Sequence, residues 1–201
     1  VLAERLAEFT YNEREGLDVV IITGDLATTG HPDDLNSVLN YLHTPRKNQW
    51  KTAKHTPSLK SQELPLLILP GNHDRYKDES GDAGGADFFK ILKEYYPTNS
   101  AVNKHMLSFP NGEALAIVTI DFSLRKNRDA GWLPLLKYGK GYAYKDVISD
   151  LINVTSSIKK EGCNAIIWAM HYPPLYPKHE LSLIGRFSLT LRRQKRVVKA
   201  A

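Results

Sequence analysis

An intrachain disulfide is excluded at once, because the 201-residue chain holds a single cysteine, Cys163. One thiol can neither pair within the chain nor build a thiolate metal cluster, which suits a reducing compartment. Long apolar runs are missing as well: no stretch approaches the roughly 18 residues that a membrane-spanning helix needs. No basic segment leads into an apolar stretch with a small-residue cleavage site, so a cytoplasmic setting and no membrane partner are expected. Internal repeats and low-complexity tracts are also lacking.

Acidic residues are absent from positions 186–201, which carry Arg186, Arg192, Arg193, Lys195, Arg196 and Lys199. The formal charge of +5 comes from 27 basic and 22 acidic residues, and setting those six aside leaves 21 against 22. The body is neutral and the end is basic. We therefore expect one domain over 1–185 and a basic, poorly ordered tail over 186–201. Nucleic-acid binding through this tail and the basic stretch 43–63 is a weak alternative, since no nucleic-acid-binding motif accompanies the charge.

What is present is an ordinary globular composition, 42% hydrophobic and 24% charged. Four short apolar runs read as buried strands: 19–23, 66–69, 115–120 and 165–170. Helical periodicity marks 33–42, 86–96 and 145–161, and an amphipathic pattern covers 1–15, with Leu2, Leu6 and Phe9 on one stripe. Strands alternating with helices indicate an α/β layered fold. Asn111-Gly112 between 106–109 and 115–120 predicts a hairpin, so the sheets are expected to be mixed. Segments 43–63 and 125–144 are long and irregular, in a position to roof a site. Asn153-Val154-Thr155 matches a glycosylation sequon, but inside a helical pattern it reads as coincidence.

The polar residues cluster where the strands end. Residues 19–23 run into Gly24-Asp25, 66–69 into Pro70-Gly71-Asn72-His73-Asp74, 115–120 into Asp121, and 165–170 into His171. If these strands are mostly parallel, their carboxyl ends meet at one edge, where open α/β sheets bind ligands. Carboxylate, amide and imidazole donors there suit a divalent ion, with Mn, Fe and Zn all admissible. Taken singly, Gly24-Asp25 is as readily a turn as a ligand and His171 is more often a hydrogen-bonded rim residue. Gly71-Asn72-His73-Asp74 is more than a turn needs. Asp121 is assigned to packing or a strand-end hydrogen bond.

In order, Gly24-Asp25, Gly71-Asn72-His73-Asp74 and His171 resemble the three middle motifs of the calcineurin-like metallophosphoesterase family. The setting Gly71–Tyr76 is similar to its cyclic-nucleotide-phosphodiesterase-like branch. The resemblance covers about residues 1–180. It implies a layered αββα sandwich with two divalent metals at the strand ends. It also implies a phosphodiesterase or phosphatase, working by two-metal activation of water on a small-molecule phosphoester or nucleotide. Asp25 is then the bridging metal ligand, with Asn72 and His171 completing the second-metal site. His73 would stabilise phosphoryl charge or protonate the leaving oxygen, and Asp74 would orient its ring.

The family's first motif, Asp-x-His, and its last, Gly-His-x-His, are both absent from the sequence. The expectation is therefore a domain incomplete at both ends, either a fragment or the product of a disrupted gene. The competing reading of the chain as given is an inactive or single-metal binding module.

Overall fold

A computed structural model describes residues 6, 9–44, 58–75, 86–96, 100–123, 141–172 and 195–200. Its strands are β1 (Val20–Ile22), β2 (Leu66–Ile68), β3 (Val102–Ser108), β4 (Ala114–Ile120) and β5 (Ala165–Met170). Its longer helices are α1 (Pro32–His43), α2 (Ala86–Ile91), α3 (Lys145–Lys160) and α4 (Lys195–Ala200).

The strands form two sheets. β1 and β2 pair in parallel, with Val20 opposite Leu66 and Ile22 opposite Ile68. In the second sheet β4 lies between antiparallel β3 and parallel β5. That sheet is mixed, as Asn111-Gly112 led us to expect. The hairpin turn carries Gly112 at φ +83°, and the Phe109 N–H donates to Glu113 O at 2.9 Å. β3 begins earlier than the apolar pattern suggests because Asn103, Lys104 and His105 interrupt it. In the structure its residues alternate between partly buried and exposed.

Side-chain alternation sorts the apolar residues into layers. Ile22, Leu66 and Ile68 turn outward onto α1 and α2, where Leu35, Val38, Leu42, Phe88 and Leu92 are buried. Val19, Ile21, Leu67 and Leu69 turn the other way and meet Leu107, Leu115, Ile117 and Ala169 of the second sheet. The opposite face of that sheet, with Ala116, Val118, Ile120 and Trp168, packs on Val147, Leu151 and Ile158 of α3. The order is helix, sheet, sheet, helix: the layered α/β sandwich expected from the sequence.

Helix boundaries follow local chemistry. Pro32 opens α1, its missing N–H costing nothing in the first turn, and the His31 side chain caps the Asp33 N–H at 3.4 Å. The Asp34 carboxylate accepts from both the N–H and the hydroxyl of Thr29, at 3.0 and 2.6 Å. α2 stops at Ile91, short of the expected 96, and continues as turns in which Leu92 and Tyr96 stay buried.

Two expectations meet a different outcome. The described part of the basic tail, Lys195–Ala200, is a docked helix: Val197 is buried, and Arg196 Nη1 donates to Ala143 O at 2.9 Å. Near the other end, residues 9–12 are helical, yet Leu6 and Phe9 on the expected apolar stripe are exposed and Thr10 is buried. Residues 45–57 and 124–140, most of the two irregular segments, lie outside the described residues. Thr155 of the sequon is buried in α3, where it accepts from Trp168 Nε1 at 3.2 Å.

His105 sits half-buried on β3 with Thr119 Oγ1 at 3.3 Å from its Nε2, and burial lowers its pKa. Near the ordinary histidine range the unfolded chain therefore takes up a proton that the folded chain refuses. Stability should fall as pH drops below about 6.5, the unfolded value. Urea unfolding between neutral and mildly acidic pH checks this, with His105→Gln expected to flatten the slope.

Candidate metal centre

The carboxyl ends of β1, β2, β4 and β5 open on one side of the two sheets, so the loops that follow them are neighbours in space. The β1 loop is tightly formed. Gly24 lies at φ +102°, and Asp25 follows in the left-handed region at φ 56°, which non-glycine residues rarely occupy. The β2 loop passes so close that a Cβ on Gly71 would overlap Asp25 Oδ1 and its backbone N. A Cβ on Gly24 would strike Gly71 in turn. Both positions require glycine.

Asp74 is what holds the two loops together. It is fully buried, and both its oxygens accept from the backbone: Oδ2 from the N–H groups of Asp25 at 2.7 Å and Gly71 at 2.8 Å, Oδ1 from that of Ala27 at 2.8 Å. Burial pushes its pKa up, outweighing the lowering by the Ala27 and Gly71 donors, and the neighbouring Asp25 charge adds to the rise. The His73 N–H in turn donates to Asp25 Oδ1 at 3.1 Å.

His171, at the end of β5, reaches across from the second sheet. Its Nδ1 lies 2.8 Å from Thr23 O, and a carbonyl can only accept, so Nδ1 carries the ring proton. The other nitrogen, Nε2, points at Asn72 Oδ1 at 3.1 Å and Asp25 Oδ2 at 3.5 Å. In a neutral ring this places three lone-pair atoms face to face. A cation among them reconciles the contact, as does a second ring proton or an Asn72 amide turned to donate its N–H to Nε2. A ligating histidine whose far N–H is anchored on a carbonyl is the usual support for a metal-bound imidazole.

Asp25, Asn72 and His171 are thus the residues that could hold one divalent cation here. Among the described residues no cluster of three or more His, Cys, Asp or Glu side chains forms a fuller site. His73 stands beside this trio, exposed, with Nδ1 2.8 Å from Thr28 O. Its ring is therefore oriented by Thr28 and not by Asp74, whose oxygens are occupied by backbone donors.

Sequence reading missed Arg75, which is buried and ion-paired to Asp121, and the carbonyls of Thr23 and Thr28. Arginine directly after the Gly71–Asp74 run was the one available signal, because backbone carbonyls carry none.

A family model described as calcineurin-like phosphoesterase matches residues 2–191, which takes in every residue of the candidate centre. The match also runs past the expected domain boundary at 185. No curated protein matches the chain.

Asp74→Ala strands the buried N–H groups of Ala27 and Gly71 and the part-buried one of Asp25, so a loss of roughly 2 kcal/mol or more is expected, at roughly 1–3 kcal/mol for each buried donor. Asp74→Asn should be nearly as harmful, because its amide nitrogen would face donors. Gly71→Ala should lose about 2–3 kcal/mol through overpacking against Asp25. Urea denaturation of the three variants measures these, and a parental midpoint for Asp74→Asn would contradict the assignment.

Proposed function

The chain belongs to the calcineurin-like phosphoesterase family, and from that premise we propose that it hydrolyses phosphoesters with a divalent cation held by Asp25, Asn72 and His171. One observation carries the reading: the locked tautomer of His171 turns a lone pair toward two oxygen acceptors brought from the other sheet. When bound, such a cation (Mn, Fe or Zn) supplies Lewis acidity that offsets phosphoryl charge and lowers the pKa of water.

The chain's own groups then have distinct tasks. Asp25 offers Oδ2 toward His171 while Oδ1 is steadied by the His73 N–H. Asn72 contributes a neutral oxygen, which leaves room for the charge of a phosphoester. His73 commits Nδ1 to Thr28 O, so proton exchange with a substrate runs through Nε2. A ring carrying a proton there protonates the departing oxygen, an effect of roughly 10²–10⁴ in rate. Asp74 acts at one remove, fixing the loops that present Asp25, Asn72 and His73. The ligand is a small-molecule phosphoester or a nucleotide. In this reading a second cation, if bound, would also be held by Asp25.

A second reading has its own support. The sequence contains no Asp-x-His and no His-x-His, and the described residues bring together three donors only. A chain holding one cation in this way binds phosphoesters without turning them over.

Hydrolysis of 4-nitrophenyl phosphate and bis(4-nitrophenyl) phosphate, assayed with Mn²⁺, Fe²⁺ or Zn²⁺, separates the two. Catalysis predicts cation-dependent release of 4-nitrophenolate, reduced roughly 10²-fold or more by His73→Ala and abolished by Asp25→Asn. Cation binding by calorimetry with no turnover of either ester favours the second reading. Neither binding nor turnover would sink both.

A further inference from the structure

Arg75 follows the Gly71–Asp74 run, and its side chain is 1% exposed. Its Nη2 pairs with Asp121 Oδ2, and the Asp121 side chain is 0% exposed. The pair is not isolated at either end. Asp121 Oδ1 accepts from the N–H and hydroxyl of Ser123 at 2.8 and 2.6 Å, and the Asp121 N–H donates to Ala101 O at 2.8 Å. The guanidinium lies 4.7 Å from the Phe89 ring centre and 5.5 Å from that of Phe88.

As a source of stability this arrangement is poor. Among the described residues Arg75 Nε and Nη1 have no hydrogen-bond acceptor, although both are buried. Buried ion pairs seldom recover their desolvation cost even when every donor is satisfied. Contact with the aromatic faces offsets part of that cost, not the missing acceptors.

As a source of geometry it is well placed. The Arg75 N–H closes the turn onto Asn72 O at 3.2 Å, so the arginine is built into the turn that carries Asn72, His73 and Asp74. Asp121 directly follows β4, whose last residue Ile120 is in register with Met170, the residue before His171. The ion pair therefore joins the β2 loop of one sheet to the other sheet, one strand away from His171. The candidate centre is divided between the same two sheets.

We propose that Arg75 and Asp121 are positioning residues, their ion pair setting the separation at which Asn72 of the first sheet meets His171 of the second. The proposal rests on the metal-site reading above, in that it assigns the tie to that site.

The test uses the whole chain and the double substitution Arg75→Met with Asp121→Asn, which removes the charges but keeps an acceptor for Ser123. Amide hydrogen exchange of Asn72, His73 and Asp74 is measured by NMR, with β4 amides as the internal reference, and Mn²⁺ binding by calorimetry. We expect a cooperatively folded protein whose turn amides exchange about tenfold faster or more, with β4 unchanged, and whose Mn²⁺ dissociation constant rises by about tenfold or more. Arg75→Lys, which keeps the charge and can reach Asp121 with one donor but loses the guanidinium stacked on Phe88 and Phe89, should leave both values between those of the parent and the double variant. Parental exchange at the turn overturns the proposal whatever the metal does, and so does faster exchange with unchanged Mn²⁺ affinity. An unfolded double variant overturns it too, because the pair would then carry the fold. A parent that binds no Mn²⁺ while the variant turn loosens selectively removes the metal reading and leaves the cross-sheet tie standing.

Discussion

One carboxylate organises this end of the molecule. Asp74 collects backbone N–H groups from Asp25, Ala27 and Gly71, all within 2.8 Å, and thereby joins the loops after two neighbouring parallel strands. Its burial makes the contact costly to break, since the carboxylate and the buried N–H groups of Ala27 and Gly71 would each lose a partner away from water. The rest of the site is built to allow that contact. Gly24 and Gly71 lack side chains because the loops touch there. Asp25 is held in a left-handed conformation because its N–H is drawn to Asp74 and its carboxylate to the His73 N–H.

With the loops joined, the remaining problem is to bring in donors from the second sheet. Two contacts do this. His171 anchors Nδ1 on Thr23 O, just before Gly24, and turns Nε2 toward Asn72 and Asp25. Arg75 reaches Asp121 at the end of β4. Between the sheets lies an apolar layer of Leu69, Ile117 and Ala169, which holds them together but has no directional preference. Hydrogen bonds and charges at the strand ends supply that direction. The strand ends therefore gather electron-rich atoms from both sheets, an arrangement that positive charge among them would relieve.

Other long-range contacts serve the frame. The Tyr142 N–H donates to Phe122 O at 3.0 Å, and Gly141 packs so closely on Tyr172 that a Cβ there would overlap the ring. These contacts secure the segment entering α3 against the ends of β4 and β5. α4 then closes over α3 through Val197, so a stretch that reads as bare positive charge contributes an apolar residue to the core.

The strands and their polar ends were legible because apolar runs of four to six residues are a strong local signal, and Gly71-Asn72-His73-Asp74 is dense in chemistry no turn requires. β3 was half hidden, since a strand carrying Asn103, Lys104 and His105 has no apolar run to announce it. The strand-end pattern gathered carboxylate, amide and imidazole groups, and the resemblance of its motifs to the family singled out Asp25, Asn72 and His171 among them as donors. What fell to tertiary structure was the division of labour. Asp74 lies beside His73 in the chain, yet it grips distant backbone N–H groups, while His73 takes its orientation from Thr28. A side chain's chemistry is a property of the residue; its partner is a property of the path that brings another part of the chain, often an anonymous backbone carbonyl or N–H, within three ångströms.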